Sequence, residues 1–216
     1  MTRYWTGVGS RQAPEAMKRF CQLVATHLTQ NSYFLRTSNL DGINQSFSAG
    51  VVFNRQECFL LEPASYGNHH GVYVHDSSAR MSVMALFDRY HLHGYWQEML
   101  YSRGNRFGIA MHMASVFALL GADPDDSSCY SRFVICWTPD GSCSANESSR
   151  AKTGQTRVVI RLADYLHIPV FNLAIEAHLR RIYQSLPATL LQQSPSLKEL
   201  TKFCLPHQQF TVTGCF

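Results

Sequence analysis

The stretch from residue 133 to residue 173 constrains the fold of this chain more than any other part of it. An apolar, β-branched and aromatic run occupies residues 133–137, and a second such run at 170–173 follows Pro169. Short apolar runs bounded by Pro, Asp or Gly are typical of buried strands. Apolar residues recur at helical spacing between Val158 and Leu166. Strand, loop, helix and strand in this order predict a βαβ unit of a parallel sheet.

A candidate binding site lies where the loop of this unit meets its helix, at Lys152, Thr153, Gly154, Gln155 and Thr156. Ligands of open α/β sheets bind beyond the carboxyl ends of the strands, and the free N–H groups of a helix N-terminus favour an anion. This junction therefore predicts a site for a phosphate-bearing ligand. The alternative is a solvated loop in which Thr153 caps the helix. The loop is not a Walker A sequence, because the glycine spacing and the Gly-Lys-Ser/Thr end are missing.

The N-terminal third of the chain continues the same alternation. Residues 3–8 are predicted as a strand, followed by a glycine turn at 7–11 and a helix that Pro14 opens. The turn is a candidate phosphate or ribose site, or it only reverses the chain. A strand at 33–37, a helix at 43–51 and a strand at 57–61 complete a βαβαβ unit, which is half of a doubly wound sheet.

These units predict an α/β, Rossmann-like fold with a mostly parallel sheet flanked by helices. Further helices are predicted at 80–91 and 106–120. Residues 1–173 are predicted to form the nucleotide-binding domain. Residues 174–216 are predicted as a C-terminal helical extension that packs on the same domain or forms a dimer contact, with no site of its own.

Composition limits the classes of protein to which the chain can belong. A hydrophobic content of 45% in 216 residues suffices for a sizeable core. The net charge of +4 is spread without a basic run, which permits nucleic acid as a partner but does not indicate it. Seven cysteines without a Cys-x-x-Cys pair do not predict a disulfide framework. We find no apolar run of about 18 residues and no signal-peptide pattern, so we expect no membrane span and a cytoplasmic location.

Residues 62–79 are predicted as a long irregular loop. They include His69, His70 and His75, which suggest a metal site. No cysteine or carboxylate at ligand spacing supports that interpretation, so no metal is expected. A loop that shapes a ligand pocket is the favoured functional role, and a plain surface loop is the alternative.

Four motifs in order resemble those of the SLOG superfamily, whose Rossmann-like members are related to the DNA-processing protein A and lysine-decarboxylase-like families. Residues 5–14 are similar to its opening motif YTGxGSRxTP, and residues 35–50 are similar to its second motif. FVICWTPDG at 133–141 matches as it stands. Residues 152–173 are similar to the fourth motif. The resemblance covers residues 3–173 and is strongest to a subgroup common in phages and bacteria.

The resemblance implies a domain that binds a nucleotide or nucleotide-derived signal, with ligand phosphate at the glycine-rich motifs. Relatives cleave the N-glycosidic bond of nucleoside monophosphates, sense ADP-ribose-like signals or bind single-stranded DNA. Arg11 and Lys152 are expected to pair with phosphate, and Asp41 or Asn39 with ribose or base. A homo-oligomer is also expected, and no cofactor. The ligand-binding residues predicted in this way are Gly9, Ser10, Arg11, Asn39, Asp41, Thr138, Lys152, Thr153, Gly154 and Gln155.

Departures from the family pattern affect polar positions of the expected pocket. Asn44 stands where the second motif has aspartate, and Ser38-Asn39 replaces its double glycine. Val159 stands where the nucleotide-cleaving relatives carry a glutamate. These changes favour binding without catalysis, so we expect the protein to sense or sequester its ligand. If the protein is encoded by a phage, it would do this in the host cytoplasm as an anti-defence factor. No catalytic residue is identified.

Two other functions stay open. The first is a nucleotide-processing N-glycosidase that acts on a nucleoside monophosphate or an NAD-like substrate through Asp41 or a residue of the 62–79 loop. The second is a protein that binds single-stranded nucleic acid, with Tyr95, Trp96 and Tyr101 as stacking surfaces.

Overall fold

The structure is a computed structural model of the chain. It describes residues 2–38, 40–60, 72–73, 77–90, 106–149 and 151–206. Several residues singled out by the sequence lie outside these ranges. They are Asn39, the three histidines at 69, 70 and 75, and the aromatic residues at 95, 96 and 101.

Six strands among the described residues form one parallel sheet, in the order β4-β3-β2-β1-β5-β6. Their bounds are β1 Arg3–Gly9, β2 Tyr33–Ser38, β3 Gln56–Leu60, β4 Val72–Tyr73, β5 Val134–Trp137 and β6 Val170–Asn172. The strand order reverses between β1 and β5, as in doubly wound sheets. The predicted α/β, Rossmann-like fold is confirmed.

Eight described α-helices connect and flank these strands. They are α1 Glu15–Gln30, α2 Ile43–Ala49, α3 Ser77–Arg89, α4 Arg106–Leu120, α5 Thr156–Tyr165, α6 Glu176–Ser185, α7 Ala188–Leu191 and α8 Leu197–Leu200. The bounds of α4 are those that its apolar pattern predicts. None of the described helices has the length and apolar character needed to cross a membrane.

The prediction of an irregular segment over 62–79 is wrong at both places where the structure describes it. Val72 and Tyr73 form the edge strand β4, paired with Phe59 and Leu60. The helix α3 begins at Ser77, three residues before its predicted start. A two-residue strand is too short to produce a periodic signal, and a helix start without a capping pattern is difficult to place from sequence.

Two cores cover the two faces of the sheet, because successive strand residues point to opposite sides. In β5, Val134 and Cys136 pack against α3, α4 and α5. Ile135 and Trp137 face the other side, where α1, α2 and the C-terminal helices pack. The buried leucines of these C-terminal helices are Leu179, Leu190 and Leu200. The sheet therefore has helices on both faces, and its strand ends remain free to form a site.

Candidate functional site

A cavity of about 1330 Å³ lies beyond the carboxyl ends of β1 and β5, where the strand order reverses. Three loops form most of its wall: the turn after β1, the segment between β2 and α2, and the loop from β5 to α5. Ligands of open α/β sheets bind at this kind of position. The wall consists of residues 8–12, 40, 41, 44, 45, 115, 139–141, 147, 149, 151–156, 159 and 205.

Most of the predicted ligand-binding residues line this one cavity, although up to 146 sequence positions separate Gly9 from Gln155. Thr138 does not belong to the wall, and Asn39 lies outside the described residues. The residues brought together are Gly9, Ser10, Arg11, Asp41, Lys152, Thr153, Gly154 and Gln155. Their contact with a ligand stays a prediction.

The first and second loops touch at Gly42. Its φ of 87° lies in the left-handed region, and a Cβ there would come within 2.5 Å of the Arg11 Cα. The N–H of Ile43 also donates to the Ser10 carbonyl at 3.4 Å. Only glycine fits this approach, since other residues would be strained in φ and would push the Arg11 backbone away. The exposed side chain of Arg11 is thus carried by a backbone that the second loop supports.

Asn44 ties the ends of β1 and β2 together. Its side chain is only 2% exposed, and its Oδ1 accepts from the Gly9 N–H at 3.0 Å. Its Nδ2 donates to the Ser38 Oγ at 2.9 Å and more weakly to the Ser38 carbonyl at 3.4 Å. Because one side accepts and the other donates, an amide suits this place better than a carboxylate, which can only accept when ionised. The amide at this position therefore has a structural role.

Thr153 organises the third loop from within. Its side chain is 3% exposed, and its hydroxyl donates to the Asp140 carboxylate. The same oxygen accepts from the Ser149 N–H at 2.9 Å and lies 3.2 Å from the Ser142 Oγ. The alternative in which Thr153 caps the helix is wrong, since α5 begins at Thr156 after Gln155. The hydroxyl instead joins the turn at 138–142 to the segment at 149–153.

Asn172, at the end of β6, supports the same loop from behind the cavity wall. Its Nδ2 donates to the Thr138 Oγ1 at 2.7 Å and to the Ser142 carbonyl at 2.9 Å, while its Oδ1 accepts from the Thr138 N–H at 3.3 Å. Thr138 is completely buried in these contacts. Sequence reasoning did not identify Asn172, because its neighbouring residues mark it only as part of an apolar strand.

The cavity wall carries charges of both signs. Its cations are Arg11 and Lys152, whose side chains are exposed. Within the described part of the chain, no carboxylate lies within ion-pairing distance of either one. The carboxylates of the wall are Asp41, Asp140 and Glu147. Cations that lack a partner next to glycine-rich backbone are suited to an anionic ligand.

Asp140 is a wall residue that sequence reasoning missed. It follows β5 by three positions, in a turn closed by the Gly141 N–H donating to the Thr138 carbonyl at 3.1 Å. Its position after a buried strand of a parallel sheet was the signal that could have identified it. Glu147 differs from Asp140, because it is exposed and one of its oxygens accepts from the Cys143 N–H at 2.9 Å.

The C-terminal extension, which was predicted to have no site of its own, contributes one residue to the wall of this cavity. Leu205 lines the cavity, and its N–H donates to the Ala174 carbonyl at 2.9 Å. Its side chain lies beside Gly141. On α4, Ser115 lines the cavity, whereas the half-buried His112 does not.

Cys143 and His178 form a pair near the cavity, with 3.9 Å between Sγ and Nδ1. Burial raises the pKa of Cys143 to about 12 and lowers the pKa of His178. The His178 Nδ1 accepts from the Asn172 N–H at 3.2 Å. Both groups are therefore neutral near pH 7, and the pair does not have the thiolate character of a cysteine nucleophile.

Metal binding receives no support from the part of the chain that the structure describes. It contains no group of three or more His, Cys, Asp and Glu side chains arranged to hold an ion. The histidines at 69, 70 and 75, which suggested a metal site, lie outside that part.

Comparison with known proteins does not assign a family. No protein-family model matches the chain, and neither a curated protein nor a solved structure does. The resemblance to the SLOG superfamily stays a prediction.

Proposed function

We propose that the protein binds a nucleotide or nucleotide-derived signal, ADP-ribose-like or cyclic, in this cavity, and senses or sequesters it without turnover. The observation that carries the proposal is the pair of cations, Arg11 and Lys152, on one cavity wall without an ion-pair partner among the described residues. Exposed cations beside neighbouring carboxylates would normally be expected to pair with them. Their separation from these carboxylates leaves both cations available to phosphate oxygens.

Three further features support a phosphate at this place. The ten-residue helix α5 begins at the wall with Thr156, and its first N–H groups and dipole favour an anion. Gly154 has a φ of 65° and open space where a Cβ would stand, so a ligand can approach its backbone. The buried Thr153 hydroxyl holds this backbone between Lys152 and Gly154. A preorganised loop loses little conformational entropy when a ligand binds.

Binding without turnover is favoured by the apolar Val159 in the wall, where the resemblance would require a glutamate for nucleotide cleavage. The raised pKa of Cys143 also argues against thiol chemistry. An N-glycosidase is the second candidate, and one observation favours it. Asp140 presents a carboxylate to the cavity and accepts hydrogen bonds that orient it, which suits a group that activates water.

Single-stranded nucleic acid is the less favoured partner. The described wall carries two cations and three carboxylates, which does not suit a polyanion. The aromatic residues proposed for stacking lie outside the described residues.

The first experiment separates binding from turnover. The protein is incubated with NAD, ADP-ribose, cyclic ADP-ribose, cyclic mononucleotides, cyclic dinucleotides and AMP, and the free fraction is measured by chromatography and mass spectrometry. The protein is then heat-denatured, and the released fraction is measured in the same way. A compound that is depleted and returns intact supports sequestration. Conversion to free base and ribose phosphate supports the N-glycosidase, and no change with any compound contradicts nucleotide binding.

A further inference from the structure

We infer that Asp140 receives the 2′ and 3′ hydroxyls of a ribose, so that the ligand is a ribonucleotide with a free hydroxyl pair. The inference rests on the proposed function and narrows its ligand class. It divides the cavity into a part for phosphate, at Arg11 and Lys152, and a part for sugar hydroxyls, at Asp140.

The first observation is that groups of the protein itself hold the Asp140 carboxylate in place. One oxygen accepts from the Thr153 hydroxyl, and the other accepts weakly from the Ser142 N–H at 3.5 Å. Thr153 and Ser142 are themselves almost fully buried, at 3% and 1% exposure. The groups that orient the carboxylate therefore belong to the buried interior of the loop.

The second observation concerns what this carboxylate can still accept. An ionised carboxylate has about four lone-pair positions and no proton to donate. Two of these positions are used by Thr153 and Ser142, and the half-buried side chain lines the cavity. A phosphate would be repelled there, whereas a hydroxyl pair donates two hydrogen bonds to a charged acceptor, which is the stronger kind.

Asp140 is better suited to this role than the other two carboxylates of the wall. Asp41 is exposed, and its carboxylate has no hydrogen-bond partner among the described residues. Glu147 is also exposed, and one of its oxygens is occupied by the Cys143 N–H. A carboxylate that is already oriented loses less side-chain entropy on binding than an exposed one.

The inference selects among the ligands that the proposed function allows. ADP-ribose and linear ribonucleotides carry a ribose with both hydroxyls free. 3′,5′-Cyclic mononucleotides, 3′,5′-linked cyclic dinucleotides and DNA do not, because their phosphodiester or their deoxyribose removes one of the pair. We therefore expect the first group to bind and the second to bind much more weakly.

The test measures binding of ADP, 2′-deoxy-ADP and 3′-deoxy-ADP by titration calorimetry, with ADP-ribose as a second ribonucleotide. The native protein should bind ADP about 10- to 100-fold more tightly than either deoxy form, which is the effect of losing a hydrogen bond to a charged group. In Asp140→Asn this preference should fall to within about threefold. Asparagine keeps an acceptor for Thr153, so the loop is expected to fold as before.

A matched variant controls for charge. Glu147→Gln removes the same charge from the same wall and should keep the preference for ADP. Asp41→Asn tests the alternative in which Asp41 binds the ribose. The inference is overturned if the native protein does not distinguish ADP from its deoxy forms. This comparison needs only the native protein and no variant. The inference is also overturned if Asp41→Asn, and not Asp140→Asn, removes the preference. Binding without a hydroxyl preference leaves the proposed function intact. Failure of ADP and ADP-ribose to bind contradicts the inference, and the proposed function is contradicted only if the cyclic nucleotides also fail to bind.

Discussion

The side-chain oxygen of Asn44 accepts a hydrogen bond from the backbone N–H of Gly9 at 3.0 Å, and this bond joins the second loop of the cavity to the first. The amide nitrogen of the same side chain donates to Ser38 at the end of β2. Asn44→Ala would leave the buried Ser38 and the half-buried Gly9 without these bonds. We expect a loss of about 1–3 kcal/mol in the free energy of unfolding, measured by urea denaturation.

Gln45→Ala is the matched control for Asn44→Ala. Gln45 also lines the cavity, but its side chain is exposed, so its removal should change stability by no more than about 0.5 kcal/mol. Equal losses in the two variants would show that the bond between Asn44 and Gly9 does not stabilise the site.

Gly42 and Gly154 both have positive φ, at 87° and 65°, but only Gly42 is crowded. Gly154→Ala should lower the free energy of unfolding by about 1 kcal/mol, which is the cost of the left-handed conformation alone. Gly42→Ala should lower it by about 2 kcal/mol or more, because its Cβ would also displace the Arg11 backbone. Thermal and urea unfolding of the two variants measure the difference. Similar losses would contradict a tight contact between the first two loops.

Arg11→Ala and Lys152→Ala should each weaken nucleotide binding by about 10- to 100-fold, the effect expected for losing a charge-assisted hydrogen bond to phosphate. Stability should change little, since both side chains are exposed. Arg19→Ala is the control, because Arg19 is exposed on α1 and does not line the cavity. If both variants bind a ligand as tightly as the native protein, phosphate binds elsewhere.

Stability should fall as the pH rises above about 9. Burial raises the pKa of Cys143 from its ordinary value of 9.0 to about 12, and it raises the pKa of Cys58 and of Cys204 to about 11. Between pH 9 and these values the unfolded chain loses thiol protons that the folded chain keeps, which favours unfolding. The contribution of these thiols to the free energy of unfolding is complete below pH 9 and is lost progressively toward pH 11–12.

Urea midpoints measured across this alkaline range check that expectation. Cys143→Ala removes one of the thiols whose pKa burial raises, so the decline of its urea midpoint with pH should be shallower than that of the native protein. An unchanged decline in this variant would mean that other groups cause it. Alkylation of Cys143 in the folded protein should also be slow at neutral pH, since the thiolate is the reactive form.

Much of the fold could be predicted from local patterns. The apolar run at 133–137 and the helical spacing after it predicted β5 and α5, and the predicted bounds of α4 agree with the structure. These predictions succeed because burial on a strand or helix imposes a period that can be read within a few residues. The edge strand Val72–Tyr73 was missed, since two residues are too few to show a period.

The candidate site could be predicted only in part. Glycines and cations after β1 and before α5 marked two of the loops. Asn172 and Leu205 carried no comparable signal, and Asp140 was indicated only by its position after a buried strand. Thr153 illustrates the reason: its sequence position suggested a helix cap, but its hydroxyl bonds to Asp140, thirteen residues away. Such roles depend on which distant segments meet.

The sequence by itself determined that this chain forms a parallel α/β sheet, because the hydrophobic period is a local property. Its turn chemistry, which is also local, predicted an anion site at the loops. Tertiary structure decided which loops meet and how their side chains are used. The order of the strands places the end of β1 beside the end of β5. That neighbourhood brings Arg11 and Lys152 to one cavity, since only packing of the whole sheet can join segments more than a hundred residues apart. The folding of the loop between β5 and α5 sets Asp140 against Thr153.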